Sequence, residues 1–128
     1  MSTYFVRIIL LILVISFSCK KKKTTSATEC QVVDNVSFNK DIVPIFEAHC
    51  VSCHSGNNAS GNLNLESSVA YSNLIDIKSG YIDTIEPTYS LLYASMISTT
   101  NPMPKNGKLD KCTTDLILKW IQQKADNN

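Results

Sequence analysis

The segment SFNKDIVPIFEAH, residues 37–49, shows a regular pattern of apolar positions. Ile42, Ile45 and Phe46, followed by Cys50, fall at i, i+3, i+4 and i+8, which is one face of an α-helix. We expect Asp41 to be the N-cap. Pro44 then occupies the third helical position, where a backbone N–H has no partner within the helix. The pattern predicts a short helix whose buried face ends at Cys50.

Two further segments, residues 67–75 and 88–97, also predict short helices. The expected inward-facing residues are Val69 and Leu74 in the first, and Tyr89, Leu92 and Met96 in the second. Between the first two predicted helices lies a turn rich in Gly, Ser and Asn, SGNNASGNLNL. We interpret these segments as structural: they contribute to core packing and carry no chemistry.

The C-terminal segment predicts a last helix, with Thr113 as its cap and Asp115 in its first turn. Its expected buried stripe consists of Leu116, Ile117, Trp120 and Ile121. No significant sheet is expected. The pattern therefore predicts an all-α fold of roughly three to five short helices.

The N-terminal apolar run, residues 6–17, has about a dozen positions, whereas a membrane-spanning helix needs roughly 20. It ends in Phe17-Ser18-Cys19 and resembles a bacterial lipoprotein signal, in which Cys19 becomes the lipidated first residue. Ser16 stands where Leu is usual, and the Ser-Cys-Lys-Lys ending resembles lipoproteins of Bacteroidetes. A cleaved signal without lipid and an uncleaved anchor are the alternatives.

These features predict three parts: a signal peptide at 1–18, a lipidated cysteine with a polar tether at 19–35, and one domain at 36–128. We expect export to the periplasmic side and a lipid anchor in a cell membrane, the outer membrane being the expected one. Residues 24–128 carry 7 Lys against 11 Asp and Glu, a net charge of −4. This charge argues against a nucleic-acid partner.

The motif Cys50-Val51-Ser52-Cys53-His54 carries the chemistry of the chain. Covalent haem attachment adds two thiols across the vinyl groups of one porphyrin, so the two cysteines must lie about one helical turn apart. A histidine in the next position can bind the iron through its imidazole. We therefore expect one haem c, attached to Cys50 and Cys53, with His54 as an axial ligand of the iron.

Zinc sites and thioredoxin-type redox pairs also use C-x-x-C. Zinc would need a fourth ligand besides Cys50, Cys53 and His54, and no second C-x-x-C or H-x-x-H follows. A thioredoxin-like pair would sit in a βαβ pattern, which is missing here. A haem-free, zinc-stabilised interaction module remains an alternative.

The order of motifs resembles class I cytochrome c domains of bacterial lipoproteins and of larger haem-containing assemblies. D-I-x-P-I-F is followed by C-x-x-C-H, G-x-L-x-L, S-L-L, M-P and W-I, over residues 38–124. The resemblance implies a small cytochrome c-like fold around one haem. It also implies an iron-binding methionine ahead of the last helix, and Met103-Pro104 matches that position, 49 residues beyond His54. The family's frequent W-I-x-x-G-A ending departs here to W-I-Q-Q-K-A.

The residues themselves favour the same sixth ligand. Met1 leaves with the signal, and Met96 shares a helical face with Leu92, so Met96 is interpreted as core. Met103 lies between two prolines in a segment that cannot be helical, which gives a weak thioether ligand a stiff loop. His49 is adjacent to Cys50 in the chain and is interpreted as a surface or capping residue.

The two remaining cysteines, Cys30 and Cys112, are expected to form a disulfide, because exposed thiols seldom persist in an oxidising compartment. Two reduced cysteines or an intermolecular bond are the alternatives. The expected function is electron transfer between redox protein partners, rather than an enzymatic reaction. A haem-based sensor or small-ligand binder, with Met103 displaced from the iron, is the main alternative.

Overall fold

The computed structural model describes Cys30 and residues 33–128. Within these residues the chain is helical and contains no β-strand, in agreement with the predicted all-α class. Its α-helices are α1 (Val43–His49), α2 (Ala70–Leu74), α3 (Leu91–Ile97) and α4 (Lys111–Gln122). A π-helical turn, Phe38–Ile42, leads directly into α1, and 3₁₀ turns occur at Ser60–Asn62 and Pro87–Tyr89.

Ser37 is the N-cap of the first helical segment, so the prediction of Asp41 as the N-cap was wrong by four residues. The Ser37 hydroxyl accepts a hydrogen bond from the Lys40 N–H (3.2 Å), and the Asp41 carboxylate accepts one from the Ser37 N–H (2.7 Å). These two side chains cap the same turn reciprocally. Asp41 therefore reaches back from inside the helical segment instead of preceding it.

The last helix begins one turn earlier than its predicted cap. Asp110 is the N-cap of α4, and its carboxylate accepts hydrogen bonds from the Thr113 N–H (3.0 Å) and hydroxyl (2.7 Å). These bonds hold the pKa of Asp110 below its usual value. Ionised Asp110 is a stronger acceptor than the predicted cap, Thr113, whose hydroxyl instead donates.

The core joins the first and last helical segments. The Phe38 ring lies 6.3 Å from Phe46, 5.2 Å from Tyr71 and 5.1 Å from Trp120, measured between ring centroids. The largest fully buried hydrophobic side chains are Trp120, Phe38, Phe46, Ile42, Leu74, Ile117, Ile121 and Val36. Three of the four stripe positions predicted for α4 are therefore fully buried, while Leu116 is half-buried.

Hydrogen bonds from the C-terminal residues also hold the junction, by which we mean the contact between the first and last helical segments. The Asn128 side-chain oxygen accepts from the Phe38 N–H (2.8 Å), and the Asn128 backbone oxygen accepts from the Asn39 N–H (3.0 Å). The Gln123 side chain accepts from the Val36 N–H (2.9 Å). N–H groups at the start of a helix have no partner within it, so these contacts satisfy donors that would otherwise need water.

The middle helices are shorter than predicted. α3 begins at Leu91 because buried Ser90 has an extended backbone, and its hydroxyl accepts a hydrogen bond from the Asp83 N–H (2.8 Å). Met96 is buried, as predicted, whereas Tyr89 is 77% exposed, contrary to prediction. The chain turns between Tyr89 and α3, so the two residues do not share one helical face.

The helix predicted at 67–75 occupies only Ala70–Leu74, as α2. Leu74 is fully buried as predicted, and Val69, just outside the helix, is half-buried. Ala70 is also fully buried, although it was not among the predicted inward residues. The small methyl group of Ala70 gave a weak hydrophobic signal.

Candidate functional site

The Cys50–His54 motif forms a tight turn at the end of α1. The Cys50 N–H donates to the Phe46 carbonyl (2.8 Å) and completes the helix. The Cys50 carbonyl then accepts from the N–H groups of both Cys53 (3.1 Å) and His54 (2.9 Å). These bonds bring both cysteines and the histidine within one turn of chain, which is the arrangement that the motif predicts.

The two cysteines of the motif have different surroundings. Cys50 is half-buried and packs against the core, and this burial raises the pKa of its thiol to about 11. Cys53 is exposed. Neither thiol belongs to a disulfide in the described part of the chain. One sulfur lies against the apolar core and the other faces solvent.

The His54 ring is oriented by a backbone carbonyl. Its Nδ1 lies 3.1 Å from the Leu63 carbonyl oxygen, and the ring is half-buried. A carbonyl can only accept a hydrogen bond, so Nδ1 must carry the proton and donate it. In this tautomer, the lone pair of Nε2 is the one that can bind a metal ion. Metal-binding histidines commonly show this arrangement, because the second hydrogen bond fixes both the tautomer and the ring orientation.

The segment that supplies this carbonyl is itself held in place. The Leu65 N–H donates to the His54 carbonyl (2.8 Å), and the Leu63 and Leu65 side chains are buried in the core. Asn64, between them, is hydrogen-bonded to Glu66 and Asn73. We refer to the three polar residues Asn64, Glu66 and Asn73 as the Asn64 clasp.

Met103 lies in a separate loop. Its N–H donates to the Ser95 carbonyl (3.0 Å), which ties the loop to α3, and its side chain is half-buried. The Gly107 N–H donates to the Pro104 carbonyl (3.3 Å), closing a turn just after Met103. In the described part of the chain, no hydrogen bond joins this loop to residues 50–54. Met103 is thus positioned through α3 rather than through the motif.

The other two candidate ligands considered from the sequence occupy the places expected for them. Met96 is 4% exposed and belongs to the hydrophobic core, as interpreted. His49 is exposed at the last position of α1, as expected for a surface residue.

Cys30 and Cys112 form a disulfide, with their Cα atoms 5.1 Å apart and a sequence separation of 82. Cys112 lies in the first turn of α4, so the bond joins the segment before the first helix to the start of the last one. The predicted signal peptide and Cys19 lie outside the described residues.

Within Cys30 and residues 33–128, no helix combines the length and the apolar character needed to cross a membrane. The same residues contain no group of three or more His, Cys, Asp and Glu side chains placed to hold a metal ion.

Sequence reasoning missed the residues that orient His54. The turn around Asn64 was interpreted as scaffold, and the decisive acceptor, the Leu63 carbonyl, is a backbone group that every residue possesses. A weak signal was present in Asn64-Leu65-Glu66, because Asn side chains bind backbone N–H groups two residues further on. Asn73 offered no local signal, since its partner lies nine residues away.

No protein-family model, curated protein or solved structure matches the chain.

Proposed function

We propose that the chain is a mono-haem c-type cytochrome that transfers electrons, with one haem c bound covalently through Cys50 and Cys53. The observation that carries this proposal is the state of His54. Its Nδ1–H is donated to the Leu63 carbonyl, so Nε2 is the nitrogen left to bind iron. The imidazole follows directly after two unbonded thiols in one tight turn.

The donor set fits the group. A thioether-linked haem requires two free thiols close to an axial imidazole, and the Cys50–His54 turn brings these three groups together. The haem would supply an iron atom that gains and loses one electron. The chain's own contribution is to hold His54 as the Nδ1–H tautomer, which makes the imidazole a more basic ligand.

Met103 is the proposed sixth ligand, and the fold is proposed to be cytochrome c-like. The support is that the Met103 loop is tied to α3 and flanked by Pro102 and Pro104, which limit its backbone freedom. A His/Met pair raises the reduction potential relative to two nitrogen ligands. We therefore propose electron transfer at a fairly positive potential, between redox protein partners.

The cellular setting is proposed to be the periplasmic side of a cell membrane, with lipidated Cys19 as the anchor. The disulfide between Cys30 and Cys112 supports an oxidising compartment, because disulfides seldom persist in the cytosol. A lipid anchor at Cys19 would hold a small electron carrier near membrane-bound partners. The outer membrane is the proposed location.

The test is to express the chain with its own signal in a bacterium able to mature c-type cytochromes. We expect a red protein whose pyridine haemochrome spectrum is that of thioether-linked haem, and whose haem survives acid-acetone extraction. The double variant Cys50→Ala/Cys53→Ala should lose covalent haem. A matched control, Cys30→Ser/Cys112→Ser, also removes two cysteines but should keep it.

A colourless wild-type protein, or a Cys50→Ala/Cys53→Ala variant that retains extraction-resistant haem, would contradict the proposal. A redox titration followed by visible spectroscopy then measures the reversible one-electron step. A ferric wild-type protein without the near-infrared charge-transfer band of sulfur-ligated iron would favour a ligand-binding sensor over an electron carrier. Stoichiometric zinc in place of haem would favour the interaction module.

A further inference from the structure

The chain on both sides of Asn64 is bonded to His54. His54 donates its Nδ1–H to the Leu63 carbonyl (3.1 Å), and its backbone carbonyl accepts from the Leu65 N–H (2.8 Å). The two peptide units that flank Asn64 therefore contact the same residue. Any rotation of the chain at Asn64 would move the acceptor away from the imidazole.

Side-chain hydrogen bonds oppose that rotation. Asn73, on α2, donates to the Asn64 carbonyl (2.8 Å). The Asn64 side chain accepts from the Glu66 N–H (2.8 Å) and donates to the Glu66 carboxylate (2.7 Å). The same carboxylate oxygen accepts from the Gly56 N–H (3.1 Å), two residues beyond His54. Glu66 thus links Gly56 to Asn64, at the two ends of the loop that follows His54.

Glu66 is exposed, yet its hydrogen bonds favour the ionised form. The bonds from Asn64 and Gly56 lower the pKa of Glu66 from its ordinary value. Charge-assisted hydrogen bonds of this kind are stronger than neutral ones. The Glu66 carboxylate therefore stabilises the conformation of this loop, besides contributing charge to the surface.

We propose that Glu66 and Asn73 are positioning residues for His54, which act by holding the Leu63 carbonyl against the imidazole. This inference rests on the proposed function, since it concerns the iron ligand of a c-type haem. Neither residue contacts the imidazole; both act through Asn64. The hydrogen bond they protect increases the electron density that His54 donates, which favours ferric iron.

Loosening the clasp should therefore raise the midpoint potential. At a fixed ambient potential we expect the ratio of ferric to ferrous protein to fall about fivefold, the effect of one hydrogen bond of ordinary net strength. The His54 ring proton should also exchange faster with solvent. Both effects concern the ligand, and neither requires a change in global stability.

The decisive variant is Asn73→Ala in the haem-loaded protein, because it changes no charge. Its matched control is Ser72→Ala, which removes an exposed side chain from the same helix. Glu66→Ala removes a charge and an acceptor, whereas Glu66→Gln removes the charge and retains an acceptor. Glu47→Ala, an exposed carboxylate on α1, measures the effect of the charge alone.

We expect the potential to rise in Asn73→Ala and in Glu66→Ala by more than in Ser72→Ala and Glu47→Ala, with Glu66→Gln close to Glu47→Ala. NMR of the reduced protein should show faster exchange of the Nδ1 proton in the first two variants. If Asn73→Ala and Glu66→Ala match their controls in both measurements, the buried leucines alone hold the carbonyl and the inference is wrong. A wild type without haem would instead overturn the proposed function.

Discussion

The junction between the first and last helical segments and the loop around His54 are built from different interactions. At the junction, Phe38 and Trp120 are fully buried, and their ring centroids lie 5.1 Å apart with the ring planes tilted by 37°. Around His54, the holding contacts are hydrogen bonds through half-buried or exposed residues such as Asn73 and Glu66. Burial supplies stability without direction, whereas hydrogen bonds fix orientation. The fold and the ligand geometry should therefore respond to different mutations.

Truncation of Trp120 is expected to give the largest loss of stability. Trp120→Ala removes the biggest buried side chain, and the free energy of unfolding should fall by about 3–5 kcal/mol. The visible spectrum of the fraction that stays folded should be unchanged. Urea denaturation followed by circular dichroism measures the first effect. An altered spectrum of the haem ligands with unchanged stability would show that Trp120 acts on the ligand geometry and not on the fold.

The two methionines test the same contrast within one residue type. Met96→Ala should reduce the free energy of unfolding by about 2–5 kcal/mol and leave iron coordination intact, because Met96 is buried in the core. Met103→Ala should keep haem attached, lower the midpoint potential and allow exogenous imidazole to bind. The near-infrared sulfur-to-iron band distinguishes them. Its loss in Met96→Ala and survival in Met103→Ala would reverse the assignment.

The disulfide belongs to the junction, and its removal should affect stability alone. Cys30→Ser/Cys112→Ser is expected to lower the free energy of unfolding by about 2–4 kcal/mol, because the crosslink closes a long loop of the unfolded chain. The midpoint potential should stay at the wild-type value. Denaturation of wild type under reducing conditions is the control. A shifted potential would mean that the bond also determines the position of the ligand loop.

The sequence predicts the junction and the Cys50–His54 motif better than the loop that follows His54. Helical spacing identified Ile117, Trp120 and Ile121 as buried, since apolar periodicity follows directly from burial. The Cys50–His54 motif was recognisable because two thiols and an imidazole have a fixed spacing. The Leu63 carbonyl could not be recognised in the same way, because every residue has a backbone carbonyl. Tertiary contacts, such as that of Asn73 with Asn64, depend on the path of the chain.

Helix caps were misplaced for a related reason. Ser, Thr and Asp can all cap a helix, and the chain offers Ser37 and Asp41 at one start and Asp110 and Thr113 at the other. In both cases the earlier residue is the N-cap. The later residue adds a second hydrogen bond: Asp41 accepts from the Ser37 N–H, and the Thr113 hydroxyl donates to the Asp110 carboxylate. Local sequence identifies the two candidate residues, but which of them is the N-cap depends on where packing places the start of the helix.

The smallest expected effect is that of the α4 cap. Asp110→Ala should lower the free energy of unfolding by about 1 kcal/mol, whereas Asp110→Asn, which retains a capping oxygen, should cost little at neutral pH. The folded-state pKa of Asp110 is depressed, so its contribution is complete above the unfolded-state pKa and is lost as the pH falls through the folded value. Asparagine does not titrate. The stability difference between wild type and Asp110→Asn should therefore shift in favour of the variant as the pH is lowered into the acid range. Urea denaturation midpoints, measured from neutral to acid pH, test this; a constant difference would show that the carboxylate charge does not contribute to the cap.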